Sequence, residues 1–556
     1  MDNIKLAELL FKDTNLTIEE CLASYPKRIL PVGAEVTRIA PSPTGYLHIG
    51  HVYGAFIDKL VAYHSNGVYF MRLEDTDNKR EVEHSADIAF DMLSLFGLKP
   101  DEGFMGTNHE EVGDYAPYIQ SKRKQIYKCF AKYLVSIGRA YPCFCGSCGG
   151  KDEILQRRQE QLQSNNDIEE KDKCRDLTYD EIEKNIKENK PFAIRLKSLG
   201  DPNKTFKIKD KIKGEREVRQ NCKDIIILKS NMIPPYSLAH VVDDTLMGTT
   251  TVVRGEEWYP SLASHIELFE AFGLKPPKYA HTPVICKLDE DGNKRKLSKR
   301  KDPEADARYF VEKGYPTSSV MEYLLNLINS DFEDWRRQNP QKDYYEFPFK
   351  LSKMGSNNPM FDLIKLDDCS KKVISHMPSS VIYENLLTWA QKYNQNFYNK
   401  IVELKEFCIS LFDIDRVNTN NPRKDIAKWS DVERLYFYMF DDICYLTIDK
   451  YDFDSKFDKV DIKKILSDYL DIYNEQDDKQ TWFEKIKTLC DKNGFCSNIK
   501  EYKQNPQNYK GSVADVSGII RVAITTKQNS PDLFMLMKLL GKENVEKRLS
   551  YITKLI

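Results

Sequence analysis

At 556 residues the chain is too long for one ordinary core, so three or more domains are expected; 83 Lys and Arg against 85 Asp and Glu give a net charge of −2, which excludes a uniformly basic nucleic-acid binder. A nucleic-acid partner would need a local basic patch. No apolar run approaches a membrane span, the start Met1-Asp2-Asn3-Ile4-Lys5 lacks a basic region followed by an apolar core, and 13 scattered cysteines suit a reducing compartment, so no membrane partner and a cytoplasmic location are expected.

Residues 1–34 read as a short helical extension, because Leu6, Leu9 and Leu10, then Ile18, Cys21 and Leu22, recur at helical spacing before Pro26 and Pro31. The stretch Arg38-Ile39-Ala40-Pro41-Ser42-Pro43-Thr44-Gly45-Tyr46-Leu47-His48-Ile49-Gly50-His51 reads as strand, turn and helix start. The β-favouring run at 36–40 stops at two prolines, and Ala55, Phe56, Leu60 and Val61 recur at helical spacing afterwards. At a helix start the backbone N–H groups and the positive dipole end hold polyphosphate, Gly50 admits a nucleotide close to the backbone, and His48 and His51 can donate to anionic oxygens. A mononucleotide triphosphate fits. Two capping or surface histidines are the bland alternative.

Gly67-Val68-Tyr69-Phe70-Met71-Arg72-Leu73 reads as a buried parallel strand, with Glu74 and Asp75 at its C-terminal end, where open α/β sheets bind ligands. Thr76 or Asp77 is expected to cap a helix over 81–97, striped by Val82, Ala89, Met92, Leu93 and Phe96, while Glu74 faces the ligand. Residues 121–230 read as a mostly helical, charged insertion that returns to strand at Ile225-Ile226-Ile227-Leu228. Within it, Cys143-Phe144-Cys145 is followed by Cys174-Arg175-Asp176; thiolates two apart can share a metal, and tetrahedral zinc takes four N, S or O ligands. Asp176 stands fourth, Cys148 competes for that place, and unmetallated thiols remain the alternative. A strand over 249–253 ends in Arg254, followed by Gly255, Glu256 and Glu257, which places a guanidinium to fork onto a carboxylate ligand, with a structural salt bridge as the bland alternative. A helix over 264–272 and a strand over 283–288 lead to the turn Asp289-Glu290-Asp291-Gly292-Asn293 and the basic loop Lys296-Leu297-Ser298-Lys299-Arg300.

Beyond residue 301 helical patterns dominate: 305–314, 320–330, then Leu386, Trp389 and Ala390, Val432, Leu435, Tyr436 and Tyr438, and Leu533, Leu536, Leu539 and Leu540. Residues 511–520 read as the start of the last helical bundle, and no internal repeat emerges.

The histidine tetrad and the basic loop together resemble the HIGH and KMSKS signatures of class I aminoacyl-tRNA synthetases. Arg38 to Gly45, Arg72-Leu73-Glu74-Asp75-Thr76-Asp77, Val242-Asp243-Asp244-Thr245-Leu246-Met247-Gly248 and Arg254-Gly255-Glu256-Glu257-Trp258 make, with the basic loop, five ordered blocks spread over about 260 residues that resemble the bacterial type of glutamyl-tRNA synthetase. The resemblance implies a multidomain chain with an α/β Rossmann-type catalytic domain, a connective-peptide insertion and an all-α C-terminal anticodon-binding region. Its expected boundaries are 1–34 extension, 35–120 first catalytic half, 121–230 acceptor-binding insertion, 231–300 second catalytic half, 301–370 stem-contact segment and 371–556 anticodon-binding region.

It implies His48, His51, Lys296 and Lys299 as catalytic residues and Thr44, Gly50, His51, Asp244, Glu257 and Lys299 at ATP. Arg38, Ser42, Glu74, Tyr236 and Arg254 are implied at glutamate, where two arginines and one carboxylate match a ligand with two carboxylates and one ammonium. It further implies zinc at Cys143, Cys145, Cys174 and Asp176, Mg²⁺ carried largely by phosphates and water, and L-glutamate, ATP and tRNA(Glu) as partners of a monomer. The chain departs from the usual pattern at His51, where Gly is frequent, at Pro235, where Thr is frequent, and at His240, where Asn is frequent. The alternatives are an enzyme that also charges tRNA(Gln) and a glutaminyl-tRNA synthetase; against the latter stand the Glu74 to Asp77 form and a helical end where β-barrels are usual.

Overall fold

The computed structural model describes residues 2–43, 45–76, 82, 84–145 and 173–556, so Thr44, Asp77 and Cys148 lie outside the described residues. The chain forms two compact units, Met1–Tyr309 with Met321–Asp362 and Phe310–Val320 with Leu363–Ile556.

In the first unit β1 (Val36–Ile39), β2 (Val68–Met71) and β3 (Glu102–Gly103) form a parallel sheet in that order, Val36 opposite Val68 and Phe70 opposite Glu102. Parallel strands covered on both faces are buried throughout, as every residue of β1 is. The Ile49–Ser65 helix connects β1 to β2 and ends at Asn66 in the left-handed region. Gly67 then passes so close to the Glu35 backbone that any Cβ would collide with it.

Among its described residues the insertion is not mostly helical, contrary to the sequence reading. It carries an antiparallel sheet, β4 (Ala140–Cys143), β5 (Ala193–Leu196) and β8 (Ile226–Leu228), in the order β4-β5-β8, and a hairpin of β6 (Thr205–Asp210) and β7 (Gly214–Arg219). In the hairpin Phe206, Ile208 and Val218 turn at period two toward Val252, Leu262 and Tyr279, and the intervening lysines and glutamates conceal that alternation in the sequence. The extension belongs to this region: Leu6, Phe11 and Ile18 share a core with Tyr127, Phe130 and Leu134 of the Lys124–Ser136 helix.

The catalytic layer resumes with the Tyr236–Leu246 helix and the parallel pair β9 (Thr251–Gly255) and β10 (Lys278–Thr282). Thr250 N–H donates to the Val36 carbonyl at 3.0 Å, so β9 runs beside β1 and the carboxyl ends of β1, β2, β9 and β10 reach one edge. β11 (Cys286–Leu288) and β12 (Lys294–Lys296) form the expected hairpin around Asp289 to Asn293. The helix after Glu74 starts later than expected: Ser85–Leu95 has His84 at its N-cap in the left-handed region, so Thr76 does not cap it.

The second unit is helical throughout its described elements. Leu386, Phe397, Leu411, Leu466, Ile520 and Leu549 share one core, and the Val513–Thr525 helix opens on the capping box of Ser512 and Asp515. Gly314 has a positive φ of 84° there, and a Cβ would also stand 3.0 Å from both Trp389 and Trp429, so both favour glycine. Among the described residues no helix is long and apolar enough to cross a membrane.

Candidate active site

A cleft of about 550 Å³ opens at the carboxyl edge of the sheet. It is lined by Arg38 and Ser42 after β1, Glu74 after β2, Arg254 and Glu257 from β9 onward, Tyr236, and His48, Gly50, His51, Lys296 and Lys299. Segments far apart in sequence therefore supply one wall each.

At one end, His48 is the N-cap of the Ile49–Ser65 helix. Its Nδ1 accepts the Gly50 N–H at 2.9 Å, and His51 Nδ1 accepts the His48 N–H at 3.3 Å. Both bonds fill the Nδ1 lone pair, so each neutral ring carries its proton on Nε2 and is left a donor. Burial, then Lys299, pushes His48 down to about 4; burial, then His48, does the same for His51, although His51 keeps exposed surface at the cleft. The capping and ligand-donor readings of the tetrad are thus compatible.

The basic loop is braced beside that helix start. Arg295 grips Asp302 with two bonds of 2.6 and 2.7 Å, Ser298 N–H donates to Asp302 at 2.9 Å, and Ala307 N–H returns to the Leu47 carbonyl at 3.0 Å. Lys299 Nζ consequently reaches the Tyr46 carbonyl, and burial lowers its pKa. Lys296 Nζ stands 3.8 Å from Glu257 in an exposed pair.

At the other end the arginines are held from beneath. Arg38 donates to Asp244 at 3.3 Å, to the Val253 carbonyl at 3.2 Å and to Tyr236 Oη at 3.4 Å. Arg72 lies wholly buried between Asp244 at 2.6 Å and Glu74 at 3.0 Å. Burial raises the Glu74 carboxyl above the ordinary range despite Arg72. The indole of Trp258 packs against Tyr236 with ring centroids 4.2 Å apart and also lines the cleft.

Asp244 corrects the sequence reading. Its side chain is fully buried and occupied by Arg38, Arg72, Thr249 and His240, the last at 2.5 Å, so it supports the cleft floor and is not among the residues that line the cleft. Against the upward push of burial, Arg38 and Arg72 hold it well below the usual carboxylate range.

Other residues passed unnoticed in the sequence. Arg254 Nε donates to His281 Nε2 at 3.0 Å, its Nη1 meets His265 Nδ1 at 3.1 Å, and His281 Nδ1 meets Asp210 at 2.6 Å. Asp58 lines the cleft from inside the helix, where burial pushes its carboxyl well up. Its signal was a carboxylate interrupting an apolar helical stripe. The histidines offered none, lying in a helix and a strand with no motif around them.

In the insertion, Cys143, Cys145 and Cys174 place their sulfurs within 4.8 Å of one another, a set that fits a thiophilic metal. Asp176 is exposed and stands outside that set, which corrects its assignment as fourth ligand. Its place in a short 3₁₀ turn two residues past Cys174 carries its carboxylate to the surface.

Residues 35–336 match the family described as "tRNA synthetases class I (E and Q), catalytic domain", and residues 384–553 match "Anticodon binding domain". The chain is 45% identical over 555 residues to a glutamate–tRNA ligase of Acetivibrio thermocellus, covering 99% of each. The chain belongs to the glutamate–tRNA ligase family of class I tRNA synthetases. A glutamate–tRNA ligase of Clostridium perfringens is 43% identical, covering 98% of this chain and 99% of its own. Among solved structures, a glutamate tRNA ligase from Elizabethkingia meningosepticum superposes with a TM-score of 0.69 at 23% identity, covering 94% of this chain and 99% of that one, which places this glutamate–tRNA ligase family member in the same fold. The helical second unit agrees with that membership.

Proposed function

We propose that this chain activates L-glutamate with ATP and transfers the glutamyl group to the 3′ end of tRNA(Glu). The observation that carries the reading is one cleft holding Arg38, Arg254 and Glu74 at one end and His48, His51 and Lys299 at the other. Two guanidiniums and one carboxylate match the two carboxylates and one ammonium of glutamate. Burial leaves Arg254 Nη2 without a hydrogen-bond partner among the described residues, which is the arrangement a carboxylate ligand would complete.

In activation the α-carboxylate of glutamate bonds to the α-phosphorus as the bond to the pyrophosphate oxygen breaks. Attacker and leaving group are both anionic, so positioning and cations dominate. Lys299 and Lys296 would hold the departing pyrophosphate, the Nε2–H groups of His48 and His51 would donate to phosphate oxygens, and Gly50 would let the triphosphate lie against the helix start. Ser42 and Tyr236 would complete the glutamate pocket, and Glu257 the ATP and acceptor side. The cleft donors at the phosphate end suit an anion more than a bare cation, so Mg²⁺ fits as an ion carried by the phosphates, whose charge it screens. The three thiols would hold zinc as a structural ion of the insertion. A monomer acting in the cytoplasm belongs to the same reading.

The test is charging of purified tRNAs. Glutamate should attach to tRNA with a glutamate anticodon, and glutamine should not replace it in tRNA-supported ATP/pyrophosphate exchange. Glutamine-dependent exchange would overturn the proposal; glutamate attached also to tRNA(Gln) would widen it.

A further inference from the structure

The substrate arginine is aimed by a chain of contacts that starts in the insertion. Asp210 ends β6, and its Oδ1 accepts the backbone N–H groups of Ile212 at 2.9 Å and Lys213 at 2.8 Å, closing the hairpin turn. Its Oδ2 lies 2.6 Å from His281 Nδ1, and the His281 N–H also approaches it at 3.2 Å. An arginine can only donate, so the 3.0 Å contact from Arg254 Nε requires a lone pair on His281 Nε2. The imidazole proton must then sit on Nδ1, donated to Asp210. His281 is wholly buried and Asp210 nearly so, while the guanidinium rests 4.7 Å from the centre of the Tyr279 ring. Nε and Nη1 are thus fixed by His281 and His265, and only Nη2 is left without a partner among the described residues.

We infer that Asp210 and His281 are positioning residues for the amino-acid substrate: the carboxylate fixes the imidazole tautomer, and the imidazole fixes the guanidinium so that Nη2 is presented to a substrate carboxylate. The inference rests on the reading of Arg254 as a glutamate contact. It makes the hairpin turn of the insertion and the amino-acid pocket parts of one hydrogen-bonded unit, since a single carboxylate closes the turn and orients the ring. It also distinguishes His281 from an ordinary core residue, because the polar atoms of its ring are spent in series between a charge and a ligand-facing cation.

The decisive experiment is tRNA-supported ATP/pyrophosphate exchange with glutamate and ATP varied separately. His281→Leu should raise the glutamate KM at least about tenfold with the ATP KM within about twofold. His281→Gln, whose amide oxygen can stand near the Nε2 position, should recover part of that loss, whereas His281→Asn, which reaches only the Nδ1 position, should not. Asp210→Asn should act in the same direction as His281→Leu. Arg254→Ala separates the two layers of the argument: if it raises the glutamate KM while His281→Leu leaves it within twofold, the positioning role is overturned and the glutamate reading stands. If Arg254→Ala leaves the glutamate KM unchanged, both fall. Equal rises in both KM values for His281→Leu, or no difference between the Gln and Asn variants, would mark a merely structural residue and overturn the inference.

Discussion

The Arg72 guanidinium meets the Asp244 carboxylate at 2.6 Å with neither side chain exposed, and the same carboxylate takes Arg38 and His240. One buried anion is therefore shared by two cations beneath the cleft, while Glu74 and Asp243 also pair with Arg72. Removing one partner of a buried ion pair leaves the other uncompensated, at about 3–5 kcal/mol. Asp244→Asn is expected to destabilise the chain by that order, with a lowered urea midpoint as the measurement and an unchanged midpoint as the contrary result.

His48 gives a variant that separates capping from donation. His48→Asn keeps a side-chain oxygen to accept the Gly50 N–H, so the Ile49–Ser65 helix should keep its start, but it removes the Nε2–H of a ring that lines the cleft. Exchange should fall about 10–100-fold while the melting temperature stays close to that of the parent. A large drop in melting temperature with unchanged exchange would assign His48 to the cap alone.

For Lys299→Ala, loss of a cation at the phosphate end should slow exchange by about 10²–10³-fold. Among the described residues its ammonium donates to a loop carbonyl, that of Tyr46, so circular dichroism and melting should be little affected. An exchange rate within twofold of the parent would remove Lys299 from the reaction.

His240 sets a pH dependence of stability. Burial is the main cause that pushes it down to about 4, against an ordinary histidine near 6.5. Between those values the unfolded chain binds the proton and the folded chain does not, so the stability is complete above about pH 6.5 and is lost as the pH falls toward 4. The gap corresponds to about 3 kcal/mol for this one group. Urea midpoints taken at neutral pH and near pH 4.5 should show a shallower decline in His240→Gln than in the parent, and equal slopes would count against it.

The thiol cluster makes a measurable demand. Protein purified without added metal or chelator should retain about one zinc per chain, and Cys174→Ser should lose it. Clearly substoichiometric zinc in the parent would leave Cys143, Cys145 and Cys174 as unmetallated thiols.

What the sequence disclosed depended on whether the chemistry had a local signature. The start of the Ile49–Ser65 helix was legible because two prolines end the preceding strand and the apolar stripe of Ala55, Phe56, Leu60 and Val61 follows, and the β11–β12 turn was legible from Asp289 to Asn293. The arginines could be read as ligand groups because each ends a strand on the same edge. Asp244 could not be placed correctly, because on a helix buried on nearly every face a motif does not say which carboxylate reaches the cleft. β10 went unread because Lys278-Tyr279-Ala280-His281-Thr282 has neither a continuous apolar run nor clean alternation. With that strand hidden, the contact between Asp210 and His281, 71 residues apart, had no trace in the sequence.

The way the backbone threads its two bodies carries a practical corollary. The polypeptide leaves the first body at Tyr309, contributes residues 310–320 to the second, returns for 321–362 and departs again. Gly314 of the borrowed stretch fits against Trp389 and Trp429, so a fragment begun at residue 363 would lack a piece of its own interior, and one ended at 309 would forfeit residues 321–362. No single cut yields either half intact, and any attempt to study them apart has to graft the short stretch back.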